Sequence, residues 1–217
     1  MNKSVFQIDT FQSILLDFDG VLCECMNVKT EAFAKLFESY GEDIVRKVTD
    51  HHVKYGGISR YEKIEYYFKE YLNKSISENK LNELAQKFSN LVVNKVIASD
   101  WVKGALDFLE KYYKEIDLYV ISGTPIEELN LVIEKRNMGK YFKGVFGSPI
   151  TKPVHIRNII KENKYDPTKV LYIGDSLSDY QDAKQAEISF LGRITSDQSF
   201  DFPKETSWFH NFTVFTK

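Results

Sequence analysis

The stretch Ile14-Leu15-Leu16-Asp17-Phe18-Asp19-Gly20-Val21-Leu22 sets two aspartates and a glycine directly behind a short apolar run. An uninterrupted apolar run suits a strand covered on both faces, which puts Asp17 and Asp19 at the mouth of a buried strand. Unpaired buried charges are costly, so acids clustered there need a cation, a partner or a chemical task. A solvated turn after an edge strand also fits Asp-x-Asp-Gly, a pattern too short to decide alone. The rest of the chain has to separate the two.

Two further apolar runs end in polar residues: Leu118-Tyr119-Val120-Ile121 before Ser122, and Val170-Leu171-Tyr172-Ile173 before Gly174-Asp175. Both lead into helix-start signals. Thr124-Pro125-Ile126-Glu127 offers an N-cap threonine, a first-turn proline and a capping-box glutamate, and Ser178-Asp179-Tyr180-Gln181 offers the serine and glutamine of the same box. Strand, polar turn and capped helix together predict a doubly wound, Rossmann-like α/β fold on a parallel sheet. Ligands of such folds bind beyond the carboxyl ends of the strands, so Asp17, Ser122 and Asp175 are expected in one crevice. One more strand is expected over Ile188-Ser189-Phe190-Leu191. The aromatic tail with Trp208, Phe209, Phe212 and Phe215 carries no legible function.

Between the first two strands the periodicity becomes helical. Phe33, Leu36, Phe37 and Tyr40 repeat at i, i+3, i+4, i+7, as do Leu81, Leu84, Ala85 and Phe88. Residues 21–98 therefore read as a helical cap domain inserted after the first strand, with residues 1–20 and 99–217 as the α/β catalytic core. Gly56-Gly57 marks a turn just before Ile58-Ser59-Arg60. Tyr61, Tyr66, Tyr67, Phe68 and Tyr71 are expected to pack inside the cap.

Bulk properties exclude several classes. The 29 basic residues nearly cancel 31 acidic ones, with no Lys/Arg run of a nucleic-acid footprint. The N-terminus lacks a signal-peptide apolar stretch and no segment is apolar for long enough to span a bilayer, so the expectation is a cytoplasmic protein. Cys23 and Cys25, two residues apart, make no disulfide framework and read as packing residues. His51, His52, His155 and His210 form no metal-ligand pair with them.

An aspartate is ionised at neutral pH and can attack phosphorus without a base to activate it. The obstacle is repulsion, since two like charges about 4 Å apart cost roughly 1 kcal/mol in water and roughly 4 at an effective dielectric of 20. Asp17, Asp19, Asp175 and Asp179 beside an anionic substrate call for a divalent ion, and all-carboxylate ligation favours Mg²⁺. Phosphoryl oxygens also need donors. Ser122, the amides around Gly123 and Thr124, and Lys152 in Thr151-Lys152-Pro153 can supply them.

In order, Asp17-Phe18-Asp19-Gly20-Val21, Val120-Ile121-Ser122-Gly123-Thr124, Lys152-Pro153 and Gly174-Asp175-Ser176-Leu177-Ser178-Asp179 resemble the four motifs of the haloacid dehalogenase-like hydrolase superfamily. The helical insert resembles the cap of its phosphoglycolate phosphatase and β-phosphoglucomutase branch. The resemblance implies Asp17 as nucleophile and Asp19 as the acid and base that serves the leaving group and then water. It implies Mg²⁺ on the Asp17 carboxylate, the Asp19 carbonyl and Asp175, with Asp179 as ligand or support. Ser122, Gly123 and Lys152 would bind the phosphoryl group. The dehalogenases themselves lack the second acid, so Asp19 favours phosphate chemistry.

Glu24-Cys25 departs from the branch, and Lys29 stands where the phosphomutase has a histidine. Gly57-Ile58-Ser59-Arg60 is similar to the loop with which that mutase grips its sugar phosphate, which makes Lys29 and Arg60 candidate substrate contacts. The expected function is a Mg²⁺-dependent phosphatase acting on a small phosphorylated metabolite, a sugar phosphate among the candidates, as a monomer or homodimer. A phosphomutase and a non-catalytic binding protein are the alternatives.

Overall fold

The computed structural model describes residues 7–195 and 202–216. Six strands form one sheet in the order β3-β2-β1-β4-β5-β6: β1 (Ser13–Leu16), β2 (Asp117–Pro125), β3 (Gly144–Ser148), β4 (Val170–Gly174), β5 (Ser189–Arg193) and β6 (Trp208–Phe209). Every pairing is parallel. The sheet is the doubly wound architecture expected, with helices on both faces and the helical cap inserted after β1.

Sheet alternation divides the core. Ile14, Leu16, Leu118, Val120, Leu171 and Ile173 face the larger cluster, which takes in Phe108 and Leu109 of α5 (Ala105–Tyr112) and Leu129 and Val132 of α6 (Ile126–Lys135). Leu15, Tyr119, Ile121 and Tyr172 point the other way, onto Ile156 and Ile159 of α7 (Lys152–Asn163) and Ala183 of α8 (Leu177–Gln185). The aromatic tail is structural: the Phe212 and Phe215 rings lie 4.8 and 6.0 Å from Phe108.

Strand order reverses at β1, which lies between β2 and β4, and this switch point opens the crevice. Leu16 pairs with both Val120 and Ile173. Asp17 therefore leaves the sheet between Ile121 and Gly174.

Two local expectations are corrected. β2 stays extended through Pro125 across an irregularity after Ile121, so Thr124 caps no helix and α6 begins at Ile126 without a side-chain cap. α8 starts two residues earlier than Ser178 suggested: Ser176 is its N-cap and Asp179 its reciprocal partner in the capping box. Strand β3 escapes a reading based on apolar runs because glycines interrupt Val145 and Phe146 and the strand is an edge of the sheet.

The cap comprises α1 (Met26–Phe37), α2 (Glu42–Lys54), α3 (Arg60–Tyr66), a π-turn over Tyr67–Tyr71, and α4 (Glu78–Ala98). Phe33, Phe37, Tyr67, Phe68 and Phe88 pack its centre, with the Phe33 ring 4.4 Å from Phe88 and 5.8 Å from Tyr67. Among the expected packing tyrosines, Tyr66 remains exposed. Among the described residues, no helix is long and apolar enough to cross a membrane.

Candidate active site

Asp17 is anchored by its own backbone, its N–H donating to Ile173 O at 2.9 Å, and the Phe18 N–H donates to its Oδ1 at 2.8 Å. The following turn needs Gly20, whose φ is +76° and where a Cβ would fall 2.0 Å from Asp175 Oδ2. Only a missing side chain lets the β1 turn press against the β4 loop. The carboxylates of Asp17, Asp175 and Asp179 consequently offer oxygens within 4.8 Å of one another.

Lys152, at the start of α7, reaches across this group. Its Nζ lies 3.1 Å from Asp17 Oδ1 and 2.6 Å from Asp179 Oδ1. Asp179 is heavily engaged, since Oδ1 also accepts from Tyr172 OH at 2.9 Å and Oδ2 accepts from the Ser176 Oγ at 2.7 Å and N–H at 3.2 Å. Its geometry is that of a residue holding Lys152 and the α8 cap in place. Asp175 differs, because its buried Oδ1 has no partner among the described residues.

Burial pushes the Asp17 carboxyl up to about 7 against the pull of Lys152, and burial with the Asp17 charge holds Asp175 well above the usual carboxylate range. Burial acts on Asp179 in the same sense, but Lys152 and the hydrogen bonds hold it below the usual range. One ammonium thus stands among three carboxylates, two buried and one half-buried. An excess of oxygen anions with one orphaned oxygen fits a hard divalent cation.

Asp19 turns away from that cluster. Its Oδ2 accepts from Lys29 Nζ at 2.5 Å, Thr124 Oγ1 at 3.2 Å and Ser122 Oγ at 3.4 Å, while Oδ1 accepts from Cys25 Sγ at 3.0 Å. Burial opposes ionisation here, but Lys29 and the Cys25 contact keep the carboxyl below its ordinary value. Cys25 does more than pack, and Thr124 serves the acid beside Asp17.

The cap meets the core through glycines. A Cβ on Gly57 would lie 2.6 Å from Asp179 Oδ1 and 2.9 Å from Lys152 Nζ, and one on Gly123 would lie 2.5 Å from Gly57 O. The Gly56-Gly57 turn therefore lies against Asp179 and Lys152 and lines one pocket with Asp17. Asp17, Asp19, Lys29, Arg60, His52 and Lys63 line a narrow, partly open pocket of about 20 Å³, room for about one water.

Arg60 is buried in that wall, but its guanidinium makes a bidentate pair with Glu128 of α6, 2.8 and 2.6 Å, and bonds Ser89 Oγ at 2.6 Å. Cap and core are latched through this pair. Removing one partner of a buried ion pair typically costs roughly 3–5 kcal/mol. Glu128→Gln should lower stability by that order in denaturant melts, and protease should cut the cap turn faster.

His52 and Lys63 line the same pocket as Asp17, and the sequence does not signal them, because they belong to no motif and sit on separate helices. The Lys63 Nζ lies 2.8 Å from His52 Nδ1. Burial and the nearby lysines hold the His52 ring well below 6.5. An unfolded histidine gains its proton near pH 6.5 and the folded one does not, so stability is kept above that pH and falls below it. The slope approaches 1.4 kcal/mol per pH unit, or about that. Asp17 and Asp175, raised by burial, push in the opposite direction. The histidine share is therefore the stability difference between wild type and His52→Asn, which should shrink by at least about 1 kcal/mol between pH 7 and pH 5 in urea melts with chelator.

A parallel sheet with an acid pair beyond its central strand, a lysine bridging to a second acid loop and a helical lid together define a class of α/β hydrolase. The chain belongs to the haloacid dehalogenase-like hydrolases, whose family model matches residues 14–193. It is 25% identical over 182 residues to the phosphorylated carbohydrates phosphatase of Thermotoga maritima, covering 82% of each chain. Among solved structures it resembles β-phosphoglucomutase of Clostridium difficile, with a TM-score of 0.71, 20% identity and 85% of each chain covered. It also resembles CbbY of Rhodobacter sphaeroides, solved with xylulose-1,5-bisphosphate, with a TM-score of 0.71, 16% identity and coverage of 93% of this chain and 95% of that one.

Proposed function

We propose that the protein is a Mg²⁺-dependent phosphatase that hydrolyses a small phosphorylated metabolite through a phosphoaspartate on Asp17. The observation that carries it is the split of the acids. Asp17, Asp175 and Asp179 cluster with Lys152 bonded to the first and last of them, whereas Asp19 is held apart by Lys29 and Thr124.

Asp17, Asp175 and the Asp19 carbonyl would hold the ion, which supplies charge neutralisation and orientation of the phosphoryl group. The Asp17 oxygen forms the new bond to phosphorus as the ester oxygen leaves. Asp19 gives that oxygen its proton. It then takes a proton from the water that attacks phosphorus, and phosphate leaves with Asp17 restored. The Lys29 ammonium competes with the proton for Asp19 Oδ2, so proton loading goes with transfer of Lys29 to a substrate oxygen. Ser122 Oγ, the Gly123 amide and Lys152 serve as donors to the phosphoryl oxygens.

Residues 21–98 act as the lid, opening for exchange and closing against bulk water, with residues 1–20 and 99–217 as the catalytic core. The relative named for phosphorylated carbohydrates supports a small phosphate ester. A mutase is less favoured, since Arg60 is spent on Glu128 and a lysine replaces the mutase-like histidine.

A panel of phosphate esters with Mg²⁺ should show phosphate release, and chelator should lower turnover by at least about 10³-fold, restored by Mg²⁺. Isomerised sugar phosphate without net release would mark the mutase instead. Turnover insensitive to chelator would sink the metal assignment.

A further inference from the structure

One lysine that lines the cavity under the cap lacks the acid partner that each neighbouring cation has. Lys29 has Asp19, Arg60 has Glu128, Lys152 has Asp17 and Asp179, and Arg193 at the edge of the sheet has Glu24. Lys63 is as buried as these, 1% exposed, and among the described residues it has no carboxylate partner. Its Nζ finds only His52 Nδ1 at 2.8 Å and the Gly56 carbonyl at 3.2 Å, with the Phe33 ring centre 5.7 Å away. An ammonium has three protons to give, and this one uses two.

His52 is unsatisfied in the same place. With Nδ1 accepting from Lys63, the ring proton sits on Nε2, and that buried atom has no partner among the described residues. Both side chains line the cavity that holds Asp17. A buried cation without a counter-ion beside a buried donor without an acceptor is destabilising twice over. Burial pushes the Lys63 ammonium down to about 7, the mark of a missing counter-charge. One ligand group would relieve both deficits: an anionic oxygen group reaching in from the cleft.

We propose that Lys63 and His52 form the cap-side subsite for a second anionic group of the substrate, a carboxylate or a second phosphate, held while the first phosphoryl group sits at Asp17. This rests on the phosphatase assignment for the first group and adds the specificity determinant that Arg60, bound to Glu128, does not supply. Phe33 and Phe88 add apolar wall to the same pocket, which suits a short carbon spacer.

The test compares three esters built on the same two-carbon unit, ethyl phosphate, 2-carboxyethyl phosphate and ethylene glycol bisphosphate, on wild type and Lys63→Met. Wild type should favour one of the two doubly anionic esters over ethyl phosphate by at least about tenfold in kcat/KM, chiefly through KM, and the preferred ester tells carboxylate from phosphate. In Lys63→Met that preference should fall close to unity. The variant should also melt higher than wild type, because methionine keeps the apolar stem and removes the unpaired charge. A purely structural Lys63 predicts the reverse, a lower melting temperature with the preference intact, and that result overturns the proposal.

A second measurement does not depend on turnover. The His52 ring signals, followed by NMR as inorganic sulfate is titrated in, should shift saturably in wild type and much less in Lys63→Met. If no ester is hydrolysed, the phosphatase assignment fails while the titration still decides the subsite. An unmoved His52 ring refutes the subsite whatever the esters do.

Discussion

Asp17→Asn should lose at least about 10⁴-fold in kcat, because an amide cannot form the bond to phosphorus and no neighbour can take its place. Asp19 is turned toward Lys29, Thr124 and Cys25, and Asp179 is tied to Lys152, Tyr172 and Ser176. The fold should not suffer. Burial raises the folded Asp17 carboxyl to about 7, so its ionised form weakens the fold at neutral pH, from the unfolded value near 3.8 upward. The neutral amide removes that burden, and the variant should melt at or above the wild-type temperature in chelator. Near-wild-type turnover in a folded Asp17→Asn protein would exclude Asp17 as the nucleophile.

Lys152→Met should act the other way on stability and the same way on activity. The ammonium is 4% exposed and is the cation bonded to both Asp17 and Asp179. Removing it strands two carboxylates that stay buried, a loss of roughly 3–5 kcal/mol. For a chain of this size that is on the order of 10 °C in melting temperature. Mg²⁺ should recover part of the loss, since a divalent ion returns positive charge to the same oxygens, and it should leave Asp17→Asn much less affected. A Lys152→Met protein that melts like wild type in chelator would show that the lysine does not balance these acids. Catalysis should fall by at least about 10²-fold, the usual scale for one lost donor to a transition-state oxygen.

The opposed stability effects follow from where each charge sits. Asp17 belongs to an excess of carboxylates, so neutralising it relieves repulsion. Lys152 is the minority charge, and neutralising it adds to the same repulsion.

Much of this site was legible in the amino-acid sequence because its elements are local. Apolar runs ending in Asp17, Ser122 and Asp175 mark strands, and parallel strands in one sheet deliver their last residues to one edge whatever the loops between them do. The helical stripe through Phe33, Leu36 and Phe37 likewise needs only its own period to show a buried face. Strand β3 was hidden because an edge strand needs no unbroken apolar run. The true cap of α8 was hidden because Ser176 and Ser178 are both plausible N-caps, and only the paired bonds between Ser176 and Asp179 choose between them.

The sequence alone determined the sheet class, the presence of a helical lid and the set of acids at the crevice, since each rests on spacing within one segment. Tertiary structure decided how the charges are shared, which is a matter of distances of a few ångströms between segments far apart in the chain. It gave Lys29 to Asp19, Arg60 to Glu128 and Lys152 to Asp17 and Asp179, and it left Lys63 and His52 facing the cleft with no carboxylate among the described residues. Electrostatic energy in a buried site depends steeply on separation and hydration, and neither can be read from residue order.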